Sequence, residues 1–248
     1  METYSKSVCE LKHEFVKLYK GNSHTTEILP NMPDESLQIE SYPLSLLHKF
    51  LDANPIYSNQ ISKKISDSDY TIFEGDLNNY WIDSIKHDTS YAPFYPTWML
   101  SAWGLALAAQ NLGFEQIIDI GSGDGRIAYC GKVLGLDSIS IEIDENLVNM
   151  QEDLSLKTGI DFNPVCSDAT NYDFKKIPSK NSIFVIGGVP EIGEVLAESV
   201  IQNTLESSHI PNSSFVLTGS HSHREFSRDR THYRWRTSIK KLDLTVVS

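Results

Sequence analysis

The chain has 248 residues, with 21 Lys and Arg against 33 Asp and Glu, a formal charge of −12. Hydrophobic residues at 40% and aromatics at 10% suffice for a packed core, which excludes a disordered or collagen-like chain and allows one large domain or one domain with a smaller attachment. The acidic balance argues against broad nucleic-acid binding, which needs clustered Lys and Arg, and suits a basic partner.

Val8, Leu11, Phe15 and Leu18 recur at helical spacing before Gly21, which predicts an amphipathic helix over residues 4–20 with Gly21 as its C′ residue. A polar, turn-rich link containing Pro30, Pro33 and Pro43 follows. Helical patterns resume at 44–51 and around 77–85 with no strong strand between them, so residues 1–90 read as a helical N-terminal cap. The first residues lead into no apolar run, unlike a secretory signal. The most apolar stretch, 98–109, is well short of the ~20 residues that cross a bilayer and reads as a buried helix. Cys9, Cys130 and Cys166 form no CxxC pair and have no His at ligand spacing, so neither a disulfide framework nor a metal site is expected, and a reducing, cytoplasmic setting fits.

From residue 97 the texture becomes a regular alternation of strand and helix. Apolar, β-branched runs at 116–120, 138–143, 163–166, 182–186 and 214–218 are separated by helical patterns at 126–134, 145–156 and 190–205. Such alternation predicts a mostly parallel sheet with helices on both faces. Two further runs, 233–237 and 242–247, read as an antiparallel hairpin on the sheet edge. The expectation is an α/β, Rossmann-like, seven-stranded domain over 91–248 with the helical cap in front of it.

Chemistry concentrates in Asp119-Ile120-Gly121-Ser122-Gly123-Asp124-Gly125-Arg126, an apolar strand that ends in an acid and alternating glycines before a helix. A dinucleotide-binding turn, GxGxxG, would place its third glycine where this chain has Arg126. Alternating GxGxG behind an acid suits a ligand with a cationic amino-acid group and no pyrophosphate, a description that S-adenosylmethionine meets. About 20 residues on, the next strand ends Ile141-Glu142-Ile143-Asp144, where a carboxylate is placed for ribose hydroxyls. Glu142 is assigned that role, and Asp144 the N-cap of the following helix.

These motifs resemble the class I S-adenosylmethionine-dependent methyltransferases. The resemblance implies that Asp119, Gly121, Ser122, Gly123, Gly125 and Glu142 bind the cofactor. It also puts Asp168 and Ala169, after the third strand, beside the adenine; the alternative is that Asp168 caps a turn. The fourth strand ends Gly187-Gly188-Val189-Pro190-Glu191 and lacks the Asn or Asp, Pro-Pro and aromatic of enzymes that methylate adenine or glutamine amino groups.

Two local features are similar to the protein-lysine methyltransferases that include the archaeal broad-specificity and the ATP-synthase c-subunit enzymes. One is Tyr91-Ala92-Pro93-Phe94-Tyr95-Pro96-Thr97, with Phe94 where that family has Tyr; the other is the Gly-Val-Pro strand end. The likeness covers roughly 91–205 and implies Phe94 and Thr97 as cofactor contacts and Gly188, Val189, Pro190 and Glu191 as acceptor-site positions. Core packing is the alternative for Phe94, Tyr95 and Trp98, and a helix N-terminal acid for Glu191. No catalytic His or Cys stands out, in keeping with a lysine amine that needs no dedicated general base.

From His221 onward seven Lys and Arg face three Asp and Glu, a local +4 that leaves −16 for residues 1–220. With Phe226, Tyr233 and Trp235 interleaved, this end admits an RNA contact or a half-buried edge strand. The expected function is therefore methyl transfer to a basic protein, with an RNA or small-molecule methyltransferase or a non-catalytic cofactor-binding module as alternatives.

Overall fold

A computed structural model describes residues 2–80, 94–187, 189–207, 210 and 213–217. The α/β part follows the sequence pattern closely. Its strands are β4 (Gln116–Ile120), β5 (Asp137–Glu142), β6 (Pro164–Cys166), β7 (Ser182–Ile186) and β8 (Ser214–Leu217). They form one parallel sheet in the order β6-β5-β4-β7-β8. The chain thus starts in the middle, winds outward to one edge and returns to wind to the other, the doubly wound Rossmann-like topology. Five strands are described, against the seven expected; the hairpin at 233–237 and 242–247 lies outside the described residues.

Strands buried on both faces carry continuous apolar runs, and every residue of β4 and β7 is buried. Ile117, Ile183 and Val185 face a core shared with α3 (Met99–Asn111), α4 (Arg126–Val133) and α5 (Glu145–Thr158). On the opposite face Ile118, Ile120, Phe184 and Ile186 meet Ala197, Val200 and Ile201 of α6 (Val189–Ser207) and the 3-10 turn Phe174–Lys176. Helix α3 is buried from Met99 through Ala109, which explains its lack of a polar face. Asp144 caps α5 as expected, its side chain accepting from the N–H groups of Asn146 and Leu147.

The N-terminal part departs from the helical expectation. Helices α1 (Glu2–Leu18) and α2 (Ser41–Ala53) are present, and 78–80 begin a helical turn beyond which the expected third helix lies outside the described residues. Helix α1 stops at Leu18, so Gly21 is not its C′ residue. Between the helices stand three strands: β1 (Thr25–Pro30), β2 (Tyr57–Ile65) and β3 (Ser68–Gly75), an antiparallel sheet in the order β1-β3-β2. Two of them carry no alternation to detect. β1 is buried at nearly every position, and β2 is exposed along most of its length.

This unit is not a detached cap. Tyr4, Val8, Ile28, Leu47, Phe50 and Phe73 belong to the same buried cluster as Ile117, Tyr129 and Val185. Among the described residues no helix is long and apolar enough to cross a membrane.

Candidate functional site

In a doubly wound sheet, ligands bind beyond the carboxyl ends of the strands where the strand order reverses. Here that point is the end of β4, between β5 and β7, and the segment leaving it is the turn from Gly121 to Gly125 that leads into α4. The Gly121 N–H donates to the Ile141 carbonyl at 2.9 Å and the Gly125 N–H to the Ser122 carbonyl at 2.9 Å, which folds the turn back over the end of β5.

Two of its glycines differ in what surrounds them. Gly121 has φ +63, and a Cβ built there meets no described atom within 4 Å, so the backbone presents an open face. At Gly123, φ +59, a Cβ would lie 2.2 Å from the Phe94 ring. The Phe94 ring therefore closes the turn at Gly123 while Gly121 stays accessible to a ligand.

Carboxylates crowd this turn. Glu142 is buried, its Oε2 accepts the Gly123 N–H at 2.8 Å, and its Oε1 accepts the N–H groups of Ile143 at 2.8 Å and Asp144 at 3.1 Å. A carboxylate has about four acceptor sites, so three bonds leave capacity for one more donor. Burial raises its pKa, and the three N–H groups work against that rise. Asp119 is also buried and accepts from the Ala128 N–H at 3.3 Å. Burial pushes its pKa well above the usual carboxylate range, and the neighbouring Asp124 and Glu142 add to the rise. A cationic group placed beside these carboxyls would favour their charged forms.

Asp124 does not add free negative charge, because Arg126 lies against it. Arg126 is 1% exposed and all five of its N–H groups are engaged. Nη2 donates to Asp124 Oδ2 at 2.5 Å and to the Tyr57 hydroxyl at 3.0 Å, and Nε to Asp124 Oδ1 at 2.9 Å. Nη1 donates to the Thr97 carbonyl at 2.7 Å and pairs with Glu27 Oε1. Asn54 Nδ2 also donates to Asp124 Oδ2 at 2.9 Å, and the second Glu27 oxygen accepts the Met99 N–H at 2.8 Å. Burial works against the Arg126 charge, but Asp124, Tyr57 and Glu27 outweigh it and hold its pKa above normal.

Sequence reasoning missed Glu27, Asn54, Tyr57 and Gln151. Gln151 is fully buried on α5; its Nε2 donates to the Gly123 carbonyl at 2.7 Å and to Ser122 Oγ at 3.0 Å, and its Oε1 accepts from Ser140 Oγ at 2.6 Å. A signal did exist for Glu27. It is a lone acid inside Thr25-Thr26-Glu27-Ile28-Leu29-Pro30, and a buried acid requires a cationic or N–H partner.

The remaining expected residues fall as follows. The Ser167 N–H donates to the Glu142 carbonyl at 2.8 Å, so the turn after β6 adjoins the end of β5. Asp168 there accepts the Thr170 N–H at 2.9 Å, the Thr170 hydroxyl at 2.7 Å and the Asn171 amide at 2.9 Å, so it does cap a turn. Ala169 is buried in the core beneath α6 rather than facing outward. Phe94 is core, as its packing alternative had it, yet it touches the Gly-rich turn. Thr97 contributes its carbonyl to Arg126. Tyr95 is exposed, and Trp98 carries the Lys12 ammonium 5.4 Å from its ring centroid. Gly188 lies outside the described residues, as do the side chains of Val189, Pro190 and Glu191, although their backbone forms the first turn of α6. The basic end from His221 lies outside them too. Among the described residues no group of three or more His, Cys, Asp or Glu is placed to hold a metal ion.

No family model matches the chain, and no curated protein sequence matches it. Solved structures do resemble it. A precorrin 8w decarboxylase of Methanobacterium thermoautotrophicum is 18% identical, covers 54% of this chain and 69% of its own, and has a TM-score of 0.41. An S-adenosylmethionine-dependent methyltransferase of Clostridium acetobutylicum is 11% identical over 47% of this chain and 47% of its own, with a TM-score of 0.36. A Pyrococcus abyssi tRNA (uracil-54, C5)-methyltransferase, solved with S-adenosyl-L-homocysteine, is 14% identical over 68% of this chain and 36% of its own, with a TM-score of 0.42.

Proposed function

We propose that this chain is an S-adenosylmethionine-dependent methyltransferase and that its acceptor is a lysine amine of a basic protein. The observation that carries the cofactor reading is the open backbone face of Gly121 at the switch point of the sheet, bordered by the buried carboxylates Asp119 and Glu142. A pyrophosphate would meet repulsion there, since Arg126 is spent on Asp124 and Glu27. A ligand with a sulfonium, an ammonium and no phosphate fits that potential. The fit extends to hydrogen bonding, because Glu142 retains one acceptor site for a ribose hydroxyl.

When bound, this cofactor supplies a methyl group already activated on sulfur, so the protein's tasks are alignment and exclusion of water. Asp119 and Glu142 would be held ionised by the cationic end of the ligand, Gly121 lets the ligand reach the backbone, and Phe94 and Gln151 hold the turn in shape from two sides. The methyltransferase resemblance assigns the adenine to Asp168, in the turn after β6 whose Ser167 N–H reaches the Glu142 carbonyl.

The lysine acceptor is supported by the Tyr91–Thr97 and Gly187–Glu191 segments and by the net charge of −16 on residues 1–220, which attracts a basic protein. A second reading, RNA as acceptor, draws on the +4 of the chain from His221 onward.

Incubation with methyl-labelled cofactor and separate pools of protein, RNA and small metabolites tests both. Label in protein, lost on Gly121→Val, is the expected result; label in RNA or metabolites alone replaces the lysine reading. Cofactor binding with no label in any pool makes the chain a binding module. Absence of any thermal stabilisation at millimolar cofactor overturns the whole reading, because a ligand at about 100 times its Kd adds about 2.7 kcal/mol to the native state.

A further inference from the structure

We infer that Glu27, carried by the N-terminal antiparallel sheet, is a positioning residue for the turn Gly121–Gly125, acting through Arg126 and Asp124. This inference rests on the reading of that turn as the cofactor site.

Four separate elements feed one network around the Arg126 guanidinium. Glu27 comes from β1, Asn54 from the end of α2, Tyr57 from the start of β2, and the Thr97 carbonyl and Met99 N–H from the start of α3. Glu27, Tyr57 and the Thr97 carbonyl accept from Arg126, the Met99 N–H holds Glu27, and Arg126 and Asn54 together hold Asp124 within the turn, Asp124 taking two N–H groups from Arg126 and one from Asn54. Burial alone does not call for such a network, since buried ion clusters can often be replaced by apolar side chains without loss of stability. What it specifies is geometry. Five guanidinium N–H groups in a rigid fork, each with its own acceptor, admit one placement of Asp124 and therefore of the backbone on either side of it. The N-terminal unit is thus a built-in part of the cofactor site.

Glu27 also makes the device sensitive to protons. Burial raises its pKa to about 7, with Arg126 and the Met99 N–H pulling it down and Asp124 pushing it up. The groups facing it are Lys12 from α1, Tyr57 from β2, Asp124 from the turn, and Arg126 and Cys130 from α4. Protonation below that pH removes the Glu27 end of the ion pair and leaves Asp124 as the charged partner of Arg126 beside the neutral Tyr57 hydroxyl and Thr97 carbonyl.

The test uses the full chain with Glu27→Gln, which keeps the shape of the side chain, and Tyr57→Phe, which removes one hydroxyl. Two quantities are measured: S-adenosylmethionine affinity by calorimetry from pH 5.5 to 8.5, and amide exchange without ligand. Glu27→Gln is expected to weaken affinity about tenfold, the equivalent of roughly 1.4 kcal/mol for one charged hydrogen bond. It is also expected to remove a wild-type gain in affinity as pH rises through about 7, and to speed exchange at Ser122–Arg126 while β4 and β5 stay protected. Tyr57→Phe is expected to do the same to a smaller degree without changing the pH profile. Wild-type affinity, pH profile and turn exchange in Glu27→Gln would overturn the inference, as would faster exchange spread evenly over β1–β3 and the turn. If the wild type itself binds no cofactor, the functional reading falls, and the exchange pattern still decides whether Glu27 positions the turn.

Discussion

Glu142 accepts the Gly123 N–H at 2.8 Å, which ties the end of β5 to the turn that follows β4. The same carboxylate takes the N–H groups of Ile143 and Asp144. One side chain thus orders both the turn and the entry to α5. Glu142→Ala is expected to leave two buried N–H groups and one half-buried one without this partner, lowering stability by about 1–3 kcal/mol and abolishing measurable cofactor binding. Thermal melts and calorimetry on the same sample check both.

Gly121 and Gly123 should respond differently to alanine although both have positive φ. Gly121→Ala meets no described atom, so its stability cost is limited to the left-handed backbone, about 1–2 kcal/mol, while its methyl group obstructs the ligand and binding falls. Gly123→Ala adds a clash with the Phe94 ring and costs more. In a Phe94→Leu background that excess should shrink, giving a measurable coupling in a double-mutant cycle of denaturant melts.

Arg126→Met should be among the most destabilising single changes in the chain. It leaves Glu27 and Asp124 buried without their cation, a loss of about 3–5 kcal/mol. Adding Glu27→Gln to Arg126→Met should recover part of it, because one fewer buried carboxylate then has to stay neutral or be solvated. Urea unfolding of the two variants compares them directly.

Stability should fall as pH rises across the range in which Glu27 titrates. Its folded pKa of about 7 lies above the ordinary 4.5. The native state therefore binds more protons than the unfolded chain between those values. Its contribution is fully present below about 4.5 and lost as pH rises through about 7. One proton sets a limiting slope of about −1.4 kcal/mol per pH unit, and Glu27→Gln should flatten the curve by the corresponding amount. Asp119 and Glu142, also raised by burial, add slopes of the same sign that remain in that variant.

The sequence by itself determined the parts of this protein that depend on neighbours along the chain. The five parallel strands were legible because strands buried on both faces are written as unbroken apolar runs. The Gly121–Gly125 turn and the Asp144 cap were legible because each is made by residues within a few positions of one another.

Only the tertiary structure decided what the N-terminal residues are for. β1 is too buried and β2 too exposed to alternate, so neither announces itself as a strand. Glu27 and Arg126 are 99 positions apart, Asn54 and Asp124 70. Nothing local marks such pairs, because a buried charge finds its partner wherever packing brings one. That packing places the far end of the chain's first sheet against the turn on which the proposed chemistry depends.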